Sequence, residues 1–309
     1  MVVYMKYIAG NMDFKLENSA VTLGKFDGLH QGHQMLINEV LSFKDKGYTS
    51  VMFTFLYHPY NIFLDNEYKL IYTEEEKVRK LSESNLDVLI SYPFIRETMA
   101  IEAEDFIKDI LVEKLDTKII VVGNDFRFGH DRRGDVEMLK AMESVYGFKV
   151  ISLEKKRWHD TVISSSLIRD ELSKGNMEVV NVMLGKPFAV HGKVLHGKKI
   201  GRTIGMPTTN LIPPSNKLLP PCGVYATRTI VDNVSYPGMT NIGYKPTVGK
   251  EKDKGVETYM YDFDGDLYGK EIEVEVLAYE RPEIKFDNLE DLMIKMEEDL
   301  AFGRKYFGI

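Results

Sequence analysis

Two histidines three residues apart, in G-K-F-D-G-L-H-Q-G-H (Gly24–His33), are the first side chains in this chain placed to do chemistry. An imidazole can ligate a metal, donate to a phosphate oxygen or cap a helix. A zincin helix spaces its histidines four apart with a glutamate between them, and that pattern is absent here. His30 and His33 also have no third ligand nearby in the sequence. Capping alone leaves Gly24, Gly28 and Gly32 unexplained, because glycines weaken local packing without structural return. Glycines do let backbone N–H groups approach a ligand, and a helix N-terminus favours an anion by ~0.3–1 kcal/mol for an exposed charge. No G-x-x-x-x-G-K-[ST] run occurs, so this is not a P-loop. An anion site with two imidazole donors is the better reading. Donors aimed at charge developing on a phosphate contribute roughly 2.7–4 kcal/mol each in a closed site.

Three other stretches carry similar chemistry: T-F-L-Y-H-P (54–59) with His58, V-V-G-N-D-F-R-F-G-H-D-R-R-G-D (121–135), and I-S-S-S-L-I-R-D-E-L (163–172). Taken singly, His58 reads as a turn residue, Phe126 and Phe128 as core, Ser164–Ser166 as a helix cap and Arg169 as a solvated helix residue. Taken together they are harder to dismiss, because of the elements that carry them. Strand-like runs at Ala20–Leu23, Val51–Phe55, Val88–Tyr92, Ile119–Gly123 and Lys149–Leu153 alternate with helical stretches. One stripe is Leu36, Ile37, Val40 and Leu41, with Gly47 as a stop. Another is Phe106, Ile107, Ile110 and Leu111. T-E-E-E at 73–76 is a capping box. Strands separated by helix-length segments imply βαβ units and a parallel sheet, whose ligands sit beyond the carboxyl ends of the strands. The glycine- and histidine-bearing loop occupies such a position.

After about residue 185 the rhythm changes. Six of the eleven prolines fall between Pro187 and Pro221. Short strand-like runs follow at Phe188–Leu195, Val224–Val231, Thr258–Phe263 and Glu271–Tyr279, a spacing that predicts an antiparallel barrel or sandwich. A closing helix is expected from about Asn288 to Lys305, with Leu289, Leu292, Met293, Met296 and Leu300 as its inward stripe. The segment 176–184 bridges the halves, giving domains 1–185 and 186–309. H-G-K-K-I-G-R-T-I-G-M-P-T-T-N-L (196–211) pairs a Gly/Lys/Arg loop with an extended segment in which Thr208 and Asn210 share a face. Hydroxyl and amide oxygens suit Mg²⁺, which takes few protein ligands. Mobile glycines at 197, 201 and 205 would let Lys198, Lys199 and Arg202 fold over phosphates. Glu257 is expected at the start of a strand, and nothing in periodicity singles it out among the carboxylates.

G-x-F-D-G-x-H-x-G-H, G-x-D-F-x-F-G and I-S-S-x-x-I-R, in this order and spacing, resemble the first domain of bacterial bifunctional riboflavin kinase/FAD synthetases, a Rossmann-like nucleotidylyltransferase. The second half is similar to that family's riboflavin kinase domain, a small antiparallel β-barrel. The matching motifs are Gly197–Asn210, Pro221–Tyr225, Asn241–Thr247 and Val256–Thr258. The resemblance implies riboflavin + ATP → FMN + ADP, then ATP + FMN → FAD + pyrophosphate, with Mg²⁺. It implies that His30 and His33 stabilise the transition state of adenylyl transfer. Gly24, Phe26, Asp27, Gly28, Ser165, Ser166 and Arg169 would hold ATP, and His58, Asp125, Phe126 and Phe128 the flavin or adenine. In the kinase, Glu257 would be the general base. Thr208 and Asn210 would organise Mg²⁺, and Gly197, Lys198, Gly201, Arg202 and Gly205 the ATP phosphates. Lys25 stands where Asn is frequent, Asp125 where Asn can occur, Ser166 where Thr is common, and Met206 and Thr209 where Phe and Ala are usual.

Composition agrees with a small-molecule enzyme. The net charge of −7 argues against a nucleic-acid-coating surface. Cys222 is the one cysteine, so no internal disulfide or zinc cluster forms. No apolar run is long enough for a membrane span and none at the start suits a signal peptide, so a cytoplasmic protein is expected. Oligomeric state stays open, a homo-oligomer included. A kinase with a degenerate or differently specific first domain and a flavin-binding regulator are the competing readings. The regulator need not keep His30, His33, Glu257, Thr208 and Asn210 together.

Overall fold

The computed structural model describes residues 4–56, 68–195, 206–244 and 254–309. The chain divides into two compact units, Met1–Ser165 and Ser166–Ile309.

The first unit is built on six parallel strands: β1 (Lys6–Ala9), β2 (Ser19–Leu23), β3 (Thr49–Phe55), β4 (Val88–Tyr92), β5 (Thr117–Gly123) and β6 (Lys149–Leu153). Their order in the sheet is β1-β4-β3-β2-β5-β6. Every residue of β2 and β4 is buried, as expected of a parallel sheet covered on both faces. Valines and isoleucines of the central strands form a core with the helix Phe106–Lys114. That helix is wound wide, Leu115 N–H donating to Ile110 O five residues back, yet Ile107, Ile110 and Leu111 still face the sheet. The strand at Lys6–Ala9 escapes sequence patterning because it is a short edge strand with only Ile8 buried. From β2 the chain winds outward through β3 to β4, then returns to the other side of β2 as β5. The order therefore reverses between β2 and β5, and the crevice at a switch point of this kind is where such sheets bind ligands.

The second unit holds six antiparallel strands: β7 (Phe188–Lys193), β8 (Thr208–Leu211), β9 (Gly223–Val231), β10 (Val234–Tyr244), β11 (Lys254–Met260) and β12 (Glu271–Pro282). They pair in the order β7-β12-β9-β10-β11-β8. The sheet curls until its two edges meet, where Leu195 N–H donates to Asn210 O at 2.8 Å. Two boundaries differ from expectation. The strand carrying Glu257 begins at Lys254, so Glu257 lies mid-strand rather than at its start. Val234–Tyr244 reads poorly as a strand because it contains Pro237 and Gly238, but Pro237 pairs with Arg228 within the hairpin. The helix Met177–Leu184 is tied to the barrel by Asn181, whose side chain donates to Val276 O at 2.9 Å and accepts Phe188 N–H at 2.7 Å.

The closing helix spans Leu289–Phe307, capped by Asn288 on Asp291 N–H. Its expected stripe needs one correction: Leu289 is exposed, as are the other residues of the first turn, Glu290 and Asp291. The most buried positions are instead Asp299 and Gly303. Arg281 donates Nε–H and Nη2–H to the two Asp299 carboxylate oxygens at 2.7 and 2.6 Å, a fork that suits a buried pair. A Cβ at Gly303 would lie 2.3 Å from the Tyr261 hydroxyl, so only glycine permits this approach.

Candidate active sites

The glycine–histidine loop leaves β2 at Leu23 and enters the helix α1 (Gln31–Leu41). In ten residues it takes three left-handed positions, Phe26 (φ 47°), Gly28 (φ 90°) and Leu29 (φ 44°). Two of these are not glycine, and a left-handed side-chain-bearing residue costs roughly 1–2 kcal/mol. Tertiary contacts repay this strain. Asp27, buried, accepts Ile71 N–H at 2.9 Å, while its own carbonyl accepts the Ser165 hydroxyl at 2.8 Å. Gly28 lies against Ile71, leaving its absent Cβ only 3.0 Å from Ile71 Cδ1. Asp27 thus holds the loop's shape through its carboxylate.

His30 and His33 are stacked, ring centroids 3.6 Å apart with planes 19° from parallel, and Phe26 closes the edge of His33 at 5.1 Å. His30 does cap α1: its Nδ1 accepts His33 N–H at 3.3 Å. Capping and anion binding are therefore not alternatives. Because Nδ1 accepts, the proton of a neutral His30 sits on Nε2, which is then the ring's donor. Burial lowers the His30 pKa to about 4. His33 is pushed well below its ordinary value, first by burial, then by the neighbouring charges of His30 and Lys77. Both rings are neutral near pH 7. His33 Nδ1 is shielded from solvent without a hydrogen-bond partner among the described residues. An unmet group of this kind costs about 1–3 kcal/mol, which the fold carries here. Gly32 has its function as well, since a Cβ there would press to 3.2 Å on the His30 ring.

The remaining candidates for the adenylyl-transfer site divide. Ser165 is joined to the loop through Asp27 O; Ser166, exposed, and Arg169, half-buried, follow in the helix Ser165–Lys174. Phe128 is a core residue, stacked at 5.6 Å on Phe126, which packs against the same core. Asp125, exposed, pairs with Lys155 at 2.6 Å. All three follow β5, next to β2 at the switch point. His58 lies outside the described residues, as do Gly197, Lys198, Gly201, Arg202 and Gly205.

In the second unit the chemistry is organised by register. Thr208 and Asn210 share a face of β8, and Asn210 stands directly opposite Glu257 on β11. The Thr208 hydroxyl donates to Glu257 Oε1 at 2.7 Å. On its other side Glu257 faces Asn241 of β10, so the carboxylate sits between two amide-bearing residues. The opposite face carries a chain of buried hydroxyls: Thr227 to Thr240 at 2.7 Å and Thr240 to Thr258 at 2.8 Å. Thr209 belongs to that face, its hydroxyl meeting Thr258 O at 3.4 Å, so its extra polar atom relative to Ala finds an acceptor.

A FAD synthetase family model matches residues 13–167, and a riboflavin kinase model matches residues 184–307. The bifunctional riboflavin kinase/FMN adenylyltransferase of Buchnera aphidicola subsp. Acyrthosiphon pisum (strain APS) is 37% identical over 311 residues, covering 99% of each chain. The chain belongs to this family. Its Escherichia coli (strain K12) and Bacillus subtilis (strain 168) relatives are 35% and 34% identical over 296 residues. These alignments cover 95% and 94% of this chain, and 94% and 93% of theirs. A solved Streptococcus pneumoniae structure, described as a macrolide-efflux protein, superposes with TM-score 0.83 and 28% identity over 98% of this chain and 99% of that one. Among the described residues no helix is long and apolar enough to cross a membrane. As a bifunctional riboflavin kinase/FMN adenylyltransferase the chain carries both steps of flavin cofactor synthesis, FMN formation and FAD formation.

Three features of this family member are invisible to motif reading. The Asp27–Ile71 lock joins residues 44 apart. Asn241 reaches Glu257 only through strand pairing. Lys77, an ordinary helix residue by sequence, is buried and paired with Glu74.

Proposed function

We propose that the second unit transfers the γ-phosphoryl of ATP to the ribityl 5′-hydroxyl of riboflavin, and that the first unit joins the resulting FMN to AMP. The observation that carries the reading is that one chain keeps a stacked pair of neutral imidazole donors in one unit and a carboxylate gripped by Thr208 in the other. The chemistry divides at about residue 185.

For the kinase, Glu257 takes the proton of the 5′-hydroxyl as the oxygen attacks phosphorus and ADP leaves. Thr208 orients it by donating to Oε1. That donation leaves the Thr208 oxygen lone pairs unused, and with the Asn210 carboxamide they form a neutral oxygen set. No group of three His, Cys, Asp or Glu residues able to hold a metal exists among the described residues. A cation held by Thr208 and Asn210 would take few protein ligands and keep waters and phosphate oxygens, which suits Mg²⁺. Mg²⁺ bound by Thr208 and Asn210 would neutralise charge on the ATP phosphates. Gly197, Lys198, Gly201, Arg202 and Gly205 cover those phosphates.

For adenylyl transfer, an FMN phosphate oxygen attacks the α-phosphorus, the bond to the β-phosphate oxygen breaks and pyrophosphate leaves. No side chain is adenylylated or phosphorylated. His30 Nε2–H and His33 stabilise the charge that develops, Gly24, Phe26, Asp27 and Gly28 shape the cradle, and Ser165, Ser166 and Arg169 hold the outer phosphates. Phe126, Phe128, Asp125 and His58 adjoin the flavin or adenine. Both reactions belong in the cytoplasm. Incubation with riboflavin, ATP and Mg²⁺, followed by chromatography of the flavins, tests the reading. FMN and then FAD are expected. Absence of FMN overturns the kinase assignment, and FMN without FAD overturns the adenylyltransferase assignment.

A further inference from the structure

The antiparallel sheet closes on itself at a seam between its edge strands, β7 and β8, and β8 carries Thr208 and Asn210. The backbone bond from Leu195 N–H to Asn210 O crosses this seam. Carried on past β8, the same register would set Pro214 against His191 and Asn216 against Ala189. The chain does not follow it. Pro213 and Pro214 have no N–H to give, and residues 214–217 form a turn in which Lys217 N–H donates to Pro214 O at 2.9 Å. A side chain bridges the seam instead: Lys217 Nζ–H donates to Ala189 O of β7 at 2.9 Å. Lys217 is only 2% exposed, and its ammonium lies 4.5 Å from the centre of the buried Phe188 ring. Lysines are almost never buried this far unless paired, because desolvating an ammonium is costly. Here a carbonyl and a ring face both attract the cation.

We propose that Lys217 is a positioning residue of riboflavin phosphorylation: its ammonium ties the turn after β8 to β7 and so holds the strand that presents Thr208 and Asn210 to the nucleotide. β8 is only four residues long and pairs on its other side with β11. A strand this short gains most from a second anchor. The stretch from Asn210 to Lys217 is fixed to β7 at both ends, at Leu195 and at Ala189. Between them Leu211, 1% exposed, packs toward Gly192 of β7, where a Cβ would lie 4.0 Å from its Cδ2. Held in this way, β8 needs no ordering when Mg²⁺ and ATP bind. Preorganisation of a binding strand shows as affinity more than as rate. The pairing of β8 with β11, which sets Thr208 on Glu257, does not run through Lys217, so the proton-accepting arrangement survives its loss. Lys217 acts through the strand and needs no contact with substrate.

The inference rests on the kinase reading, in which Thr208 and Asn210 organise Mg²⁺ and ATP, and one experiment separates the two. The full chain and its Lys217→Met variant are given riboflavin, ATP and Mg²⁺, and kcat and the KM for Mg²⁺–ATP are measured. Amide hydrogen exchange is followed in parallel on the unliganded proteins. Lys217→Met is expected to raise that KM on the order of 10-fold, the scale of one lost hydrogen bond to a charged group, with kcat near the wild-type value. Leu195 N–H should exchange on the order of 10-fold faster, while amides of β9 and β10, in the middle of the sheet, keep their protection. If methionine is not tolerated, Lys217→Gln takes its place in the same comparison. A variant with the wild-type KM overturns the assignment, a lowered kcat at unchanged KM included, since that marks a merely structural residue. A raised KM without faster Leu195 exchange overturns it as well. Asn210→Ala tests the parent reading alongside: if it leaves the KM for Mg²⁺–ATP unchanged, that reading fails, and Leu195 exchange still reports whether Lys217 holds the seam.

Discussion

The two sites are assembled by opposite means. In the first unit, one loop of ten residues supplies both imidazoles, the helix end and the left-handed turns that lead into it. In the second, no short stretch contains the site. Glu257 meets Thr208 across 49 residues of chain and Asn241 across the neighbouring strand. A parallel sheet delivers its ligand site on the loops beyond strand ends, where geometry is locally encoded. An antiparallel sheet delivers side chains from strand faces, where register alone decides which residues oppose each other. The first site should therefore respond to changes within its loop, and the second to changes in any of three strands.

The sharpest break between the two comes from replacing both histidines. His30→Ala with His33→Ala should reduce FAD formation by on the order of 10²-fold or more, the effect of losing preorganised donors. FMN should accumulate at the normal rate, as read by chromatography. Glu257→Gln should do the reverse: riboflavin phosphorylation falls by on the order of 10²- to 10⁴-fold, while supplied FMN still becomes FAD. Thr208→Val keeps shape but removes the donor on Glu257. A hydrogen bond to a charged group contributes about 1.5–3 kcal/mol, so riboflavin phosphorylation should drop roughly 10- to 100-fold with FAD formation from FMN untouched.

The mildest effect concerns stability. An unfolded histidine takes up a proton near pH 6.5, whereas folded His30 resists it until about 4. Across that window the unfolded state binds more protons, so stability falls as pH falls, by about 1.4 kcal/mol per pH unit for each such imidazole. Urea unfolding of the wild type should show this slope below about pH 6.5, and the double histidine variant should flatten it. An unchanged slope in that variant would assign the acid sensitivity elsewhere.

These contrasts explain what was readable in advance. Apolar periodicity located α1, the Thr73 cap and five of the six parallel strands, because buried strands and amphipathic helices carry dense local signals. It lost Lys6–Ala9, an edge strand with one buried residue, and Val234–Tyr244, whose Pro237 and Gly238 imitate a break. It also assigned Leu289 to the buried face of the last helix, where the buried positions are Asp299, satisfied by Arg281, and Gly303, squeezed by Tyr261. Burial of a charge is legible only with its partner, and that partner is 18 residues away on another element.

By itself the sequence determined the kinds of chemistry available: two imidazoles at a glycine-rich strand-to-helix turn, and a threonine and asparagine two apart. Those are properties of adjacent residues, and local backbone geometry suffices to group them. Only the tertiary structure decided how they work. It stacked the rings, buried them into neutrality, made His30 the cap of its helix, and set Glu257 opposite Asn210 by strand register. Protonation state and cross-strand pairing depend on what surrounds a group in space, and that is set by packing rather than by order along the chain.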